Sequence, residues 1–117
     1  MHTRAVIRSS AAVVLALTFA ACGSATEHRR PDRQTLQAGR TVFIHAGCGG
    51  CHTLRAARTH GVIGPNFDTS ERLSADQIRN QLNLGIGGMP SFGGRLTGRQ
   101  EEAVAAFLAD ALNRRGR

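Results

Sequence analysis

The stretch Cys48-Gly49-Gly50-Cys51-His52 limits what this chain can fold into more than any other part of it. Two thiols three residues apart, followed at once by a histidine, have the spacing of covalent haem attachment. Each thiol can add to one vinyl group, and the adjacent imidazole then lies under the iron. Gly49 and Gly50 put no bulk between the two links. Three other chemistries use close cysteines. A thioredoxin-like redox pair wants a βαβ setting, and none surrounds this one. A structural zinc site wants four ligands, and the chain has neither a second C-x-x-C nor an H-x-x-x-H pair. A disulfide between residues this close would shut a very small loop and stabilise little. The motif therefore points to one covalent haem. It also implies export, because such haems are attached outside the cytoplasm.

The rest of the chain suits a haem at its centre. With 117 residues and only 4% aromatics, all five of them Phe, it can build one small domain with a modest core. Domains of this size lean on a disulfide, a metal or a cofactor, and a flat porphyrin among helices adds apolar mass. From Gln34 the pattern is helical: Leu36, Gly39, Phe43 and Ala46 share a face, and Gly47 stops the run. A second helix opens at Ser74-Ala75-Asp76-Gln77, a capping box, with Leu73 and Ile78 placed as a hydrophobic staple. Gly85 ends it. A third opens at Thr97-Gly98-Arg99-Gln100, a second capping box, and carries the apolar stripe Val104, Phe107, Leu108, Ala111 and Leu112. No stretch alternates with period two over five or more residues, so no sheet is expected and the class reads as all-α.

The N-terminal third reads as an address and a tether. Arg4 and Arg8 precede the largely apolar run Ala11 to Ala21, which is shorter than the about 20 residues a membrane span needs. Residues 1–21 are expected to be an export signal. Its end, Leu17-Thr18-Phe19-Ala20-Ala21-Cys22, resembles a bacterial lipobox, with Cys22 as the residue to be lipidated, although Phe19 stands where an aliphatic residue is usual. Lipidation would also account for the odd cysteine. Residues 22–33 are polar, charged and interrupted by Pro31, a tether; residues 34–117 form the haem domain. The net charge of +7 comes entirely from arginine, since the chain has no lysine. These arginines are spread out, with no basic stripe and no interleaved aromatics, so nucleic acid is not expected as a partner.

Several ordered features together resemble the class I c-type cytochromes, the small soluble monohaem kind. They cover Leu36 to about Leu112. Gly39-x-x-x-Phe43 resembles the N-terminal helix of that family, whose glycine lets the C-terminal helix cross closely. Phe107 resembles the aromatic that packs on that glycine. Gly64-Pro65-Asn66-Phe67 resembles the loop whose proline carbonyl steadies the haem-ligating histidine. Gly88-Met89-Pro90 resembles the distal loop that supplies the sixth ligand. The resemblance implies a small cytochrome c fold of three main helices and loops wrapped around one haem c. It implies Cys48, Cys51, His52, Pro65 and Met89 at the cofactor, with His52 and Met89 as axial ligands of the iron.

Met89 has support of its own. It is the one methionine besides the initiator, and it lies in the glycine-rich loop Gly85-Ile86-Gly87-Gly88-Met89-Pro90 rather than on a helical apolar stripe. His45 and His60 are its competitors, recommended only by residue type. Metal-bound histidine usually donates its second ring N–H to a carbonyl or carboxylate, and the resemblance makes Pro65 the source of that carbonyl for His52.

With both axial positions filled, no open site remains for a substrate. The expected function is a one-electron carrier, not an enzyme, with no small-molecule substrate. It would shuttle between envelope redox complexes: a quinol-oxidising complex, a dehydrogenase or a terminal oxidase. The expected place is the outer face of the cytoplasmic membrane or the periplasm, held by a lipid anchor. The alternative is a dedicated electron-transfer subunit of one membrane or periplasmic dehydrogenase or oxidase. A haem sensor or small peroxidase is a third reading and needs a vacant or labile sixth position.

Overall fold

The computed structural model describes residues 30–114. The expected export signal, Cys22 and most of the tether lie outside the described residues. Three helices carry the fold: α1 (Arg33–His45), α2 (Ala75–Leu84) and α3 (Gly98–Arg114). Among the described residues, no helix is long and apolar enough to cross a membrane.

Each helix begins on a side-chain cap. At α2 the Ser74 hydroxyl accepts from the Gln77 N–H at 3.2 Å, and the Gln77 side chain accepts from the Ser74 N–H at 2.8 Å. Thr97 and Gln100 repeat the exchange at α3. Two orphan donors are satisfied at each of these ends. At α1 the cap is Asp32, whose carboxylate accepts from the Thr35 N–H at 2.7 Å. That bond holds the Asp32 carboxyl below its usual range. The helix therefore takes Arg33 as its first residue, inside the stretch read from sequence as tether, because a capping aspartate looks like any other charged tether residue until the N–H it bonds is known.

The core is the crossing of α1 and α3, with α2 packed on α3. Gly39 is buried at the crossing. A Cβ there would land on the Ala103 carbonyl oxygen and within 2.6 Å of the Phe107 Cβ, so only glycine fits. Phe43, fully buried, meets the Phe107 ring edge-on at 6.2 Å and the Phe67 ring edge-on at 6.3 Å. Ile78 and Leu82 of α2 and Val104, Leu108 and Leu112 of α3 complete the cluster.

The fold is not purely helical, which corrects the all-α expectation. Thr53–Leu54 (β1) and Thr59–His60 (β2) pair antiparallel, Thr53 with His60 and Leu54 with Thr59. Each strand has two residues, too short to show an alternating pattern in sequence. The pairing is set by the turn between them. A 3₁₀ turn at Arg55–Ala57 leads into Arg58, whose φ of 59° reverses the chain. Two hydroxyls brace the ladder: Thr53 donates to the Gly61 carbonyl at 2.9 Å and Thr59 to the His52 carbonyl at 3.0 Å.

Candidate haem site

Gly47, with φ of 79°, turns the chain out of α1 into a 3₁₀ turn, Cys48–Gly50, that presents the two thiols. Both cysteines are half-buried and unbonded to each other. Burial pushes the Cys48 thiol above its usual range, with a smaller upward push from Cys51. Gly49 lies against β2: a Cβ there would strike the Thr59 side chain. Gly50 faces open space. The glycine next to Cys48 is thus demanded by the ladder as well as by the space between the links.

His52 is 7% exposed. Its Nδ1 donates to the Pro65 carbonyl at 2.9 Å, which leaves Nε2 as the lone-pair nitrogen. Gly64 lies flat against the imidazole, so close that a Cβ would come within 2.8 Å of Nδ1. Phe67 also stacks on the ring, centroids 4.4 Å apart and planes 15° apart. The loop that delivers these contacts is tied down at several points. The Gly64 N–H donates to the Cys51 carbonyl at 2.8 Å, and the Phe67 N–H to the Thr53 carbonyl at 3.0 Å. Asn66 shapes the turn, its side chain accepting from the Asp68 N–H at 2.8 Å, and Asp68 accepts from the Arg55 N–H at 3.0 Å. A ring fixed by a carbonyl at one nitrogen and by packing on its faces is the arrangement expected of a histidine that binds metal through the other nitrogen. The residues present therefore fit a haem iron at His52.

Met89 lies partly buried against the core cluster, in a segment that leaves α2 and returns to it. The segment reverses at Gly85, φ 67°, where a Cβ would come within 2.8 Å of the Met89 carbonyl oxygen and the Ser91 nitrogen. The Met89 N–H donates to the Ile86 carbonyl at 3.1 Å. The Phe92 N–H closes the segment on the Leu82 carbonyl at 2.7 Å. Buried Phe92 is covered by the Arg95 guanidinium, 4.9 Å from its centroid. His45 and His60, the competing ligands, both stand exposed. Among the described residues, no group of three or more His, Cys, Asp or Glu side chains could hold a metal ion by itself.

The structure brings Cys48, Cys51, His52 and Pro65 into one braced unit and places Met89 in a separate, tethered segment. Sequence reasoning gave Phe67 no role, although it stacks on the imidazole; its place at the end of Gly64-Pro65-Asn66-Phe67 was the signal. It also missed the burial of Glu101, 8% exposed near the start of α3, where the pair Glu101-Glu102 reads as a solvated face.

Comparison with known proteins agrees with a cytochrome c fold that carries one haem c. The family described as cytochrome C oxidase, cbb3-type, subunit III, matches residues 34–108. A cytochrome c6 from Picosynechococcus sp. is 34% identical over 84 residues, covering 62% of this chain and 70% of that protein. A cytochrome c6 from Microcystis aeruginosa is 33% identical over 75 residues, 60% of this chain and 89% of that one. The crystal structure of the c-type cytochrome SorU from Sinorhizobium meliloti superposes with a TM-score of 0.62 at 32% identity, over 68% of this chain and 93% of that one. With its helix crossing, its C-x-x-C-H turn and these relatives, the chain belongs to the class I c-type cytochromes, electron carriers that hold one covalent haem c.

Proposed function

We propose that this protein shuttles single electrons between envelope redox complexes, with haem bonded through Cys48 and Cys51 and its iron held between His52 and Met89. The observation that carries the reading is the His52 ring, its Nδ1 committed to the Pro65 carbonyl and its Nε2 free for iron. The haem supplies a one-electron couple whose potential an axial methionine raises. The chain's own part is to fix the imidazole, bring the thioether from the opposite segment and keep water from the ring. Residues 1–21 are the export signal, Cys22 is the lipidated N-terminus of the mature chain, and residues 22–33 tether the haem domain near a membrane. Confinement there raises the effective concentration toward a quinol-oxidising complex, a dehydrogenase or a terminal oxidase.

The test is a redox titration of the purified protein followed by mixing with native membranes. Reduction by one membrane complex and oxidation by another is the expected result; a protein that no membrane complex reduces or oxidises is not this carrier. Cys22→Ser is expected to release the protein to the soluble envelope fraction with its haem spectrum intact.

A second reading, the dedicated subunit of one complex, draws on a specific feature. Val62 and Ile63, 88% and 82% exposed, project between the glycines that pack on Cys51 and His52. Leu84 and Ile86 stand exposed where the Met89 segment begins. Apolar side chains left in water beside a site favour a lasting partner. Association that resists high salt would favour this reading over shuttling.

A further inference from the structure

The segment that carries Met89 is anchored to the end of α2 by one backbone N–H and one hydroxyl. The last-turn carbonyls of a helix have no intrahelical partner. Here two consecutive ones, of Leu82 and Asn83, accept from the returning chain: Leu82 from the Phe92 N–H at 2.7 Å and Asn83 from the Ser91 hydroxyl at 2.6 Å. The same hydroxyl oxygen accepts from the Gly93 N–H at 3.2 Å, so Ser91 bridges the helix end and the outgoing chain. Asn83 is in turn held in place, its side-chain amide donating to the Arg79 carbonyl at 3.0 Å and to the carboxylate of buried Glu101 at 3.4 Å. Gly93 packs against Asn83, a Cβ there falling 3.3 Å from its carbonyl oxygen and from its Oδ1. Between Gly85 and this clasp, the one backbone bond recorded inside the segment runs from Met89 to Ile86.

We propose that Ser91 is a positioning residue for Met89: its hydroxyl, clasped to the Asn83 carbonyl, holds the methionine segment closed and so limits how often the thioether leaves the iron. This rests on the reading of Met89 as sixth ligand. Ser91 is solvent-exposed, so water can take over part of the hydroxyl's role, and the effect is one of frequency rather than of fold. A net hydrogen bond of this kind is worth about 1 kcal/mol, about fivefold in the population of the open form.

The experiment measures the rate at which the oxidised holoprotein takes up imidazole, which enters only when Met89 has left, alongside the near-infrared methionine–iron band and the urea midpoint. Ser91→Ala is expected to take up imidazole about fivefold faster, with the band at its wild-type position and a similar urea midpoint. Ser91→Thr, which keeps the hydroxyl, is expected to restore the wild-type rate. Uptake by Ser91→Ala at the wild-type rate overturns the proposal, as does a Ser91→Thr protein as fast as Ser91→Ala. A wild-type protein that shows no methionine–iron band removes the sixth-ligand reading itself. A band that is present with unchanged uptake in Ser91→Ala removes the clasp alone.

Discussion

The two segments proposed to hold the haem iron are themselves held by different means. On the His52 side, the imidazole touches Gly64 and Phe67 and bonds to Pro65, and the loop behind it is pinned to Cys51 and Thr53 by backbone bonds. On the Met89 side, the glycine-rich segment is gathered at its ends, by Gly85 at the exit and by Ser91 and Phe92 at the return. The first is a packed wall and the second a closed loop. A packed wall resists substitution and holds one geometry; a closed loop tolerates substitution along its length and opens as a unit. On the ligation proposed above, the histidine would then be the permanent ligand and the methionine the labile one.

The largest effect is expected from removing what both segments surround. Replacing Cys48 and Cys51 together by Ala leaves a domain with four Phe in its described part and too little apolar mass of its own. Circular dichroism and urea titration should find it largely unfolded; a cooperative, fully helical form without haem would contradict the dependence of both segments on the cofactor.

A paired substitution addresses the contrast directly. Gly64→Ala pushes a methyl group into the His52 ring, whereas Gly88→Ala meets nothing within 4 Å. Overpacking of a well-filled site costs about 1–3 kcal/mol, so Gly64→Ala should lower the urea midpoint clearly and Gly88→Ala hardly at all. Equal losses from the two would erase the distinction between wall and loop.

Met89→Ala comes next. It should keep the fold and the covalent haem, lose the near-infrared methionine–iron band, lower the reduction potential and let carbon monoxide bind the reduced protein. An unchanged spectrum would pass the sixth position to His45 or His60.

The smallest effect belongs to Asp32, outside both segments. Its carboxyl is held below the ordinary range by the Thr35 N–H. A group whose folded value is lowered stabilises above its unfolded value and loses that contribution as pH falls through the folded one. The deficit of Asp32→Ala should be full at pH 7 and close in acid well below the carboxylate range. A deficit independent of pH would assign the cap to something other than the charge.

What could be read in the sequence divides along similar lines. Ser74 with Gln77 and Thr97 with Gln100 announce helix starts because the bonds that cap a helix lie three residues apart. Gly39 and Phe43 announce a crossing because a glycine amid apolar helix residues needs a reason. The C-x-x-C-H turn is legible because attachment chemistry fixes its spacing. The two-stranded ladder was not legible, since its register follows from the reversal at Arg58 rather than from any repeating pattern. Phe67 on His52 was not either: the contact spans fifteen positions and depends on how a loop closes. Nothing in the sequence assigns a role to Ser91 or Asn83, for a bond between a hydroxyl and a distant carbonyl leaves no periodic trace.

The packing of the Cys48 turn has a consequence for assembly. Cys48 is half-buried and packed against the core cluster, so the folded turn leaves its sulfur less room than an open one would. Attachment at that sulfur is therefore expected to be easier while α3 is not yet docked on α1 and the turn is still open. In that order the crossing at Gly39 would be the last fastening, closing on a group already bonded.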